Sequence, residues 1–340
     1  MPTLLETVLA ASDLFDVEAV IARYPWVVGS GHDCILSPDA DGQLCGLLLS
    51  NALGWRIRGF YDGKALVVDA GVDPSRCIYV DMEICRAGVR SFGNHMLAFN
   101  LGRRSDDWDV RFADCFSINN WRSHDRRAFN RKYPFASIHF LLPTLAARFP
   151  ITVPPTAAGP LLFADGVYKI LLQYTENAWD WMRYLGVERS ESPLHSLFHS
   201  PDLSVYEVMT KMLDFWRRRD ELSTTGHRGD RIAITERGGD GRVVNLIESG
   251  SGSARTWRYA DEPRGRIETF LTMLGELTGW PYRKSMWTWS GWRLVEFEKR
   301  IASDVTDLAA FRGIMDRSPL SWAITARDRV EYTLDPHGVF

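Results

Sequence analysis

The first half of the chain alternates short apolar segments with apolar residues at helical spacing. Residues 56–61 (RIRGFY), 65–70 (ALVVDA) and 77–80 (CIYV) are short and flanked by turn residues, as strands are. Residues 43–53 (QLCGLLLSNAL) repeat apolar side chains at helical spacing and stop before Gly54, which indicates a helix. Strands that alternate with helices in this way predict βαβ units and a mainly parallel sheet.

The remaining segments give a mixture of helices and loops. Residues 1–23 and 204–222 have helical spacing, and residues 161–172 (LLFADGVYKILL) are interpreted as a strand, a turn and a helix. Residues 151–160 are rich in Pro and Gly, which is typical of a linker or a long loop.

The fold class predicted from this pattern is α/β with two domains. Residues 1–175 form a domain in which helices flank a mainly parallel sheet. Residues 176–340 form a smaller, Trp-rich α+β domain for substrate binding or interaction. A chain of 340 residues has room for two domains.

Composition excludes some classes of protein. The net charge of -3 argues against a generally basic nucleic-acid binder, although a local basic groove is compatible with it. No apolar run approaches the about 20 residues that a bilayer crossing needs, and the acidic N-terminal segment is unlike a signal peptide. The five cysteines include no C-x-x-C pair, which suits reduced thiols. We therefore predict a cytoplasmic protein without membrane contact.

Three aspartates follow predicted strands. Asp39 and Asp41 lie one residue apart in the segment PDADG (38–42), and Asp81 directly follows the strand CIYV. The carboxyl ends of parallel strands meet at the edge where open α/β sheets bind ligands. Neighbouring carboxylates repel each other unless a cation lies between them. The sequence thus predicts a cation site, with an ordinary solvated turn as the alternative for PDADG.

Two segments resemble motifs of the DHH phosphoesterase family. Residues 37–50 (SPDADGQLCGLLLS) resemble its first motif, a strand followed by a D-x-D turn and a helix. Residues 77–84 (CIYVDMEI) resemble its second motif, a strand that ends in a single Asp. The resemblance covers roughly residues 25–175.

Two further motifs of that family are matched less completely. The Asp-His-His motif corresponds to Asn94, His95 and Met96, so only the central His is retained. The last motif, an Asp after a further strand, is matched loosely by Asp165 in LLFADG. The chain therefore resembles a divergent or degenerate member.

The resemblance implies a phosphodiesterase or nuclease that uses Mn²⁺ or Mg²⁺ to activate water for attack on nucleic acid or a nucleotide. The implied metal ligands are Asp39, Asp41, Asp81, His95 and Asp165, and the implied catalytic residues are Asp41, Asp81 and His95. The substitutions at Asn94 and Met96 leave a second hypothesis open. It is a catalytically degenerate domain that binds nucleic acid or assembles with protein partners in a larger mobile-element or antiviral complex. A homo-oligomer also stays open.

Residues 119–135 (NNWRSHDRRAFNRKYPF) are the most basic segment of the first half. The phosphate-binding candidates are Arg126, Arg127 and Arg131, and Trp121 is a candidate for base stacking. His124 and Asp125 form an alternative metal pair, in which Asp125 replaces Asp165 as the fourth-motif acid. A solvated loop with balancing acids explains the same pattern.

Residues 280–293 (WPYRKSMWTWSGWR) place Trp287 and Trp289 on one face of an extended segment. This spacing predicts either a base-stacking platform or a pair of core residues that pack together. His195 and His199 have i, i+4 spacing but no evident third metal ligand.

Overall fold

The computed structural model describes residues 3–199, 204–222, 230–239 and 243–340. The strands are β1 (Asp33–Leu36), β2 (Arg56–Tyr61), β3 (Ala65–Asp69), β4 (Ile78–Val80), β5 (Ser91–Gly93), β6 (Cys115–Ser117), β7 (Leu246–Ser249), β8 (Thr256–Tyr259), β9 (Trp292–Glu296), β10 (Glu298–Ala302), β11 (Ser321–Ala326) and β12 (Arg329–Leu334). The helices are α1 (Leu4–Ala10), α2 (Val17–Arg23), α3 (Ala40–Ala52), α4 (Trp108–Arg111), α5 (Ile118–Trp121), α6 (Ser137–Ala146), α7 (Ala158–Phe163), α8 (Val167–Gln173), α9 (Thr175–Tyr184), α10 (His195–Phe198), α11 (Val205–Asp220), α12 (Asp261–Thr278) and α13 (Leu308–Met315). None of the helices in these ranges has the length and apolar character that a membrane crossing requires.

A nine-stranded sheet lies at the centre, in the order β6-β5-β4-β1-β2-β3-β9-β8-β7. The five strands from β6 to β2 pair in parallel, and the other pairings are antiparallel. A separate antiparallel sheet has the order β10-β12-β11 and carries aromatic residues. The predicted α/β class, with a smaller aromatic-rich unit, is confirmed.

Helix α3 joins β1 to β2 and is buried on all sides, as a helix with apolar residues around its whole circumference must be. Gly46 brings this helix close to the sheet. A Cβ atom at Gly46 would lie 2.5 Å from Leu36 Cδ1 and 3.0 Å from the Trp287 ring. The helix therefore holds its N-terminus against the carboxyl end of β1.

Residues 151–172 differ from their predicted structure. The end of the predicted linker and the predicted strand after it together form helix α7. This helix packs on α11, where Gly159 contacts Phe215. The apolar run at 161–163 lacks the alternation that identifies a half-buried strand. A short run of this kind is compatible with either a buried strand or a helix.

Both predicted domains contribute to the central sheet. β9 pairs with β3 from Ala65↔Glu296 to Asp69↔Trp292, and Trp292 packs against Phe60. The boundary between residues 175 and 176 stays a prediction, and the sheet continues across it.

The stacking function predicted for Trp287 and Trp289 is wrong, because both are core residues. Their rings stack with centroids 6.3 Å apart, and Phe60 packs against each of them. Trp289 is only 3% exposed, which leaves no ring face for a nucleobase. The alternative interpretation of the Trp spacing, shared core packing, is the one that the structure supports.

Replacing Trp289 tests this core assignment. Trp289→Ala should lower the free energy of unfolding by about 3–5 kcal/mol, because it removes a buried ring and leaves a cavity. Urea unfolding measures the loss. The partly exposed Trp179 offers a control, and Trp179→Ala should change stability by less than about 0.5 kcal/mol. Unchanged stability in Trp289→Ala would contradict the assignment.

Candidate functional site

Strands β1 and β4 bring the acidic segments together at one sheet edge. Leu36 pairs with Val80 in parallel, so residues 37–41 and Asp81 leave the sheet side by side. Asp39 is the N-cap of α3 and accepts a hydrogen bond from the Gly42 amide at 3.2 Å. Asp41 lies in the first turn of the same helix. PDADG is therefore a helix start and not a solvated turn.

Ser37 connects two of the carboxylates. Its Oγ lies 2.9 Å from Asp39 Oδ1 and 2.6 Å from Asp81 Oδ2. Because a hydroxyl has one hydrogen, Ser37 can donate to only one of them at a time. A Cβ atom at Gly42 would lie 2.3 Å from Ser37 Oγ, so this approach requires a glycine.

Asp41 caps helix α6. Its Oδ2 accepts a hydrogen bond from the Ser137 amide at 2.5 Å, and its Oδ1 accepts one from the Ile138 amide at 3.0 Å. Ala136, at the N-cap, has no side chain that can do this. A carboxylate at a helix N-terminus is also favoured by the helix dipole. Asp41 thus has a structural function whether or not it binds a cation.

Asp81 is fully buried between two serine hydroxyls. Ser137 Oγ donates to Asp81 Oδ1 at 2.7 Å, opposite the contact with Ser37. The backbone of Asp81 has a φ of 60°, in the left-handed region that Asp tolerates better than most residues. Such conformations are common at functional sites.

The buried acids have no basic counterpart of their own. Burial raises the pKa of Asp41 well above its usual range, and the neighbouring acids, Asp81 first, raise it further. Burial, followed by the charges of Asp39 and Asp165, likewise raises the pKa of Asp81. Within the described residues, no Arg or Lys forms an ion pair with Asp41 or Asp81. Without a cation, Asp41 and Asp81 therefore keep their protons to a higher pH than an exposed Asp does.

His95 lies beside Asp81 and is open to solvent. Its Nδ1 is 3.8 Å from Asp81 Oδ1, and 46% of its side chain is exposed. Glu83 fixes the loop that carries it, accepting hydrogen bonds from the amides of His95 at 3.3 Å and Met96 at 3.0 Å. Glu83 was missed in the sequence, although its position two residues after Asp81 places it on the same side of an extended segment.

Asn119 fixes the same loop from the other side. Its Nδ2 lies within hydrogen-bonding distance of the carbonyl oxygens of Asn94 (2.9 Å) and Met96 (3.2 Å). The Met96 side chain is fully buried, in the cluster that includes Trp322. The residue that occupies the last His position of the family motif is therefore a core residue.

Asp165 also reaches the cluster, from the turn between α7 and α8. Its Oδ2 accepts a hydrogen bond from Asn94 Nδ2 at 2.9 Å. Burial raises its pKa, whereas His95, Asn94 and Lys132 act in the opposite direction. Asp165 thus lies near the other predicted ligands, and its hydrogen-bond donor is a side-chain amide, whereas Asp41 and Asp81 accept hydrogen bonds from backbone amides and serine hydroxyls.

A cavity of about 190 Å³ opens beside this cluster. Ser37, Asp39, Asp81, Glu83 and His95 line one side of it. Residues of β11 and β12 line the opposite side, so the cavity lies between the two sheets. Its basic residues are Arg231 and Lys299, neither of which was singled out in the sequence. Arg231 Nη2 lies 3.9 Å from Asp39 Oδ2.

The arginines predicted to bind phosphate lie apart from the cavity beside the acids. Arg126 donates to the Arg327 carbonyl and lies over the Phe99 ring. Arg127 forms an ion pair with Asp125, and Arg131 forms one with Asp180. None of the three lines the cavity beside the acids. The alternative of a segment with balancing acids accounts for this part of the chain.

The other predicted residues of that segment are structural too. Trp121 is half-buried and packs against Tyr24 and Phe116, so it does not form a stacking platform. Asp125 accepts a hydrogen bond from Arg127, two residues further along the chain. Burial lowers the pKa of His124 to about 4. Among the described residues no third ligand joins these two, and the alternative metal pair stays a prediction.

His195 and His199 lie together, with ring centroids 4.7 Å apart. His195 Nδ1 is 3.0 Å from the Val187 carbonyl oxygen, a protein partner of its own. A third ligand for this pair is absent from the part of the chain that the structure describes.

The acids at the sheet edge fit a hard divalent cation in their chemistry. Carboxylate oxygens are the ligands that Mn²⁺ and Mg²⁺ prefer, and the buried charge at Asp41 and Asp81 needs neutralisation. Among the described residues, however, no three His, Cys, Asp or Glu side chains are already arranged to hold a metal ion. Serine hydroxyls and backbone amides occupy the same oxygens, so a cation has to compete with these hydrogen bonds.

Comparison of the chain with known family models, curated proteins and solved structures finds no match. The resemblance to the DHH phosphoesterases therefore rests on the sequence motifs alone.

The raised pKa values predict how stability depends on pH when no metal is present. Above about pH 4, the unfolded pKa of Asp, the folded state binds more protons than the unfolded state, so the melting temperature should fall as pH rises. Asp81→Asn removes one charge, keeps the shape and tolerates positive φ. It should raise the melting temperature at pH 8 and weaken its pH dependence.

Thermal unfolding in EDTA from pH 5 to about pH 8, where Asp is ionised in the unfolded chain, measures this effect. The exposed Asp106 provides a matched control, because Asp106→Asn changes the same charge outside the cluster. A wild-type melting temperature that rises with pH over this range, with no gain in Asp81→Asn, would refute the assignment.

Proposed function

We propose that this protein is a metal-dependent phosphodiesterase that acts on nucleic acid or a nucleotide. The observation that carries the proposal is the buried pair Asp41 and Asp81, with Asp39 beside it, at the carboxyl edge of the parallel strands. Like charges in a buried site repel each other, and a bound cation is one way to neutralise them. Mn²⁺ or Mg²⁺ suits oxygen ligands of this kind.

The residues around the cavity then have distinct roles. Asp39, Asp41 and Asp81 would hold the cation, which when bound supplies activation of water and of the phosphoryl group. His95, exposed beside Asp81, is positioned to hold or move a proton. Arg231 and Lys299 lie on the cavity wall and replace the arginines of residues 126–131 as phosphate-binding candidates. Lys299 forms an ion pair with Glu331 there, so a phosphate would compete with that carboxylate.

The size of the cavity favours a single-stranded or small substrate. Its volume of about 190 Å³ is below the roughly 300–1,000 Å³ of sites that enclose a whole drug-sized ligand. A cavity below that range favours a substrate of which only a small part, such as one phosphate with its sugar, is enclosed.

A catalytically degenerate domain is the second candidate function. Asp41 caps α6 with both of its oxygens, and Met96 is a core residue. Two positions that hold metal ligands in the family motifs therefore have structural roles in this chain. A protein of this kind would bind nucleic acid or protein partners, or a second copy of itself, without hydrolysis. For either function, the five free, buried cysteines support a cytoplasmic location.

A hydrolysis assay distinguishes the two functions. Single-stranded DNA and RNA, dinucleotides and cyclic dinucleotides are incubated with Mn²⁺, and products are separated by chromatography. Asp81→Asn should lower kcat/KM by at least about 100-fold, the scale of losing a group that acts on the reacting atoms. Lys299→Ala should mainly raise KM. The control Asp106→Asn should match the wild type.

Two outcomes would contradict the enzyme hypothesis. One is hydrolysis by Asp81→Asn at the wild-type rate. The other is a wild-type protein that hydrolyses none of these substrates and shows no Mn²⁺ binding by calorimetry.

A further inference from the structure

Helix α11 has two apolar faces. The inner face, with Met212 and Phe215, is buried and packs on α7, where Phe215 contacts Phe163. The outer face carries large apolar residues whose exposed fractions lie between 47% and 79%, namely Val205, Tyr206, Met209 and Leu213. Single exposed apolar residues are ordinary on a protein surface, whereas a patch of neighbouring ones marks an interaction site.

The outer residues have the spacing of a coiled-coil seam. Tyr206, Met209, Leu213 and Trp216 follow one another at intervals of three, four and three residues, which places them on one stripe of the helix. Trp216, at the end of the stripe, is half-buried because its ring packs against Tyr168 of α8, with centroids 5.1 Å apart. A stripe of this kind fits against the side of another helix.

We propose that the outer face of α11 is a homodimer interface, in which two copies of this chain pair these helices in antiparallel orientation. None of the stripe residues lines the cavity beside the acids. The inference therefore does not depend on the proposed function.

The stripe is self-complementary about its midpoint, near Lys211. A two-fold axis at that point places Met209 opposite Leu213 of the partner subunit, and Tyr206 opposite Trp216 of the partner subunit. Aliphatic side chains then meet aliphatic ones, and aromatic rings meet aromatic rings, which is a favourable pairing. A contact of this symmetric form uses the same patch on both copies and needs no second surface.

The charges of α11 favour the antiparallel orientation. Its first turn carries Glu207, and its last turn carries Arg217, Arg218 and Arg219. An antiparallel pair brings the acid of each copy toward the arginines of the other and opposes the two helix dipoles. A parallel pair would bring the two groups of arginines together.

Arg217 is available for such a contact. Its side chain is 63% exposed, and its ion pairs, with Asp214 and Glu221, lie within the same helix. Exposed pairs of this kind contribute little to stability. Arg217 can therefore turn toward an acid of a second copy at a small cost.

The size of the face sets the expected strength of the dimer. Leu172, exposed on α8 one helical turn beyond Tyr168, adds apolar surface on the neighbouring helix. Even so, the patch is small beside the roughly 20–30 residues a side of a stable complex. We therefore expect a reversible dimer that forms as the protein concentration rises.

Analytical ultracentrifugation of the full-length chain tests the proposal. Between about 1 and about 200 μM, a range suited to a small interface, the wild type should change from monomer to dimer. Leu213→Glu should weaken dimerisation at least about tenfold, because it places a charge in the apolar centre of the contact. The melting temperature of this variant at the lowest concentration should match the wild type, since Leu213 is 63% exposed in the single chain.

A leucine on another helix provides the matched control. Leu9 of α1 is 64% exposed, and Leu9→Glu should dimerise as the wild type does. A wild-type chain that stays monomeric at every concentration would overturn the proposal and leave the face to a different protein or to solvent. A dimer that persists in Leu213→Glu, or that Leu9→Glu disrupts equally, would place the interface elsewhere and also overturn it.

Disulfide cross-linking tests the orientation of the helices. In an antiparallel pair, residue 209 of one copy faces residue 213 of the other. Oxidation of a mixture of Met209→Cys and Leu213→Cys should therefore give more covalent dimer than either variant alone. The five natural cysteines are buried and compete little. Cross-linking of each variant alone that equals or exceeds that of the mixture would indicate parallel helices and contradict the proposed pairing.

Discussion

The arrangement of this site depends on the repulsion between buried carboxylates. Asp41 and Asp81 lie at the ends of neighbouring segments, out of water. Beyond the effect of burial, the charge of Asp81 raises the pKa of Asp41, and the charges of Asp39 and Asp165 raise the pKa of Asp81. Such a pair is stable only with a shared proton, surrounding hydrogen-bond donors, or a cation. The protein supplies donors from Ser37, Ser137 and the amides at the start of α6. Those donors stabilise the acids in the folded chain without a metal. The excess of acidic groups over basic ones still makes the cluster a candidate for binding a metal cation.

Helix α6 couples the site to the rest of the fold. Its first amides bind Asp41, its first hydroxyl binds Asp81, and its apolar residues lie in the main core. A change in the charge of the cluster therefore acts directly on the N-terminus of a core helix. The same coupling explains why Asp41 can be required for stability even if the domain is catalytically degenerate.

The second half of the chain completes the cavity. Ile232 donates its amide to the Pro38 carbonyl, and Gln43 donates to the Asp230 carbonyl, so Arg231 is held beside Asp39. The three-stranded sheet supplies the facing wall and Lys299. The Gln43–Asp230 contact joins residues 187 positions apart in the sequence. Long-range contacts of this kind decide which basic residues face the acids.

The sequence determined the α/β class and the acids that meet at the sheet edge, because the strand pattern is local and parallel strands end at a common edge. Asp165 was identified through its motif, although the segment before it is a helix and not a strand. The tertiary structure alone decided which charged side chains and aromatic rings are available to contact a ligand. Arg131 and Trp289 lie in sequence segments typical of nucleic-acid contacts. In the fold, however, Arg131 forms an ion pair with Asp180 and Trp289 packs against Phe60, and both partners are distant in sequence. A residue's type and spacing state what it can bind, whereas its folded neighbours determine what it does bind.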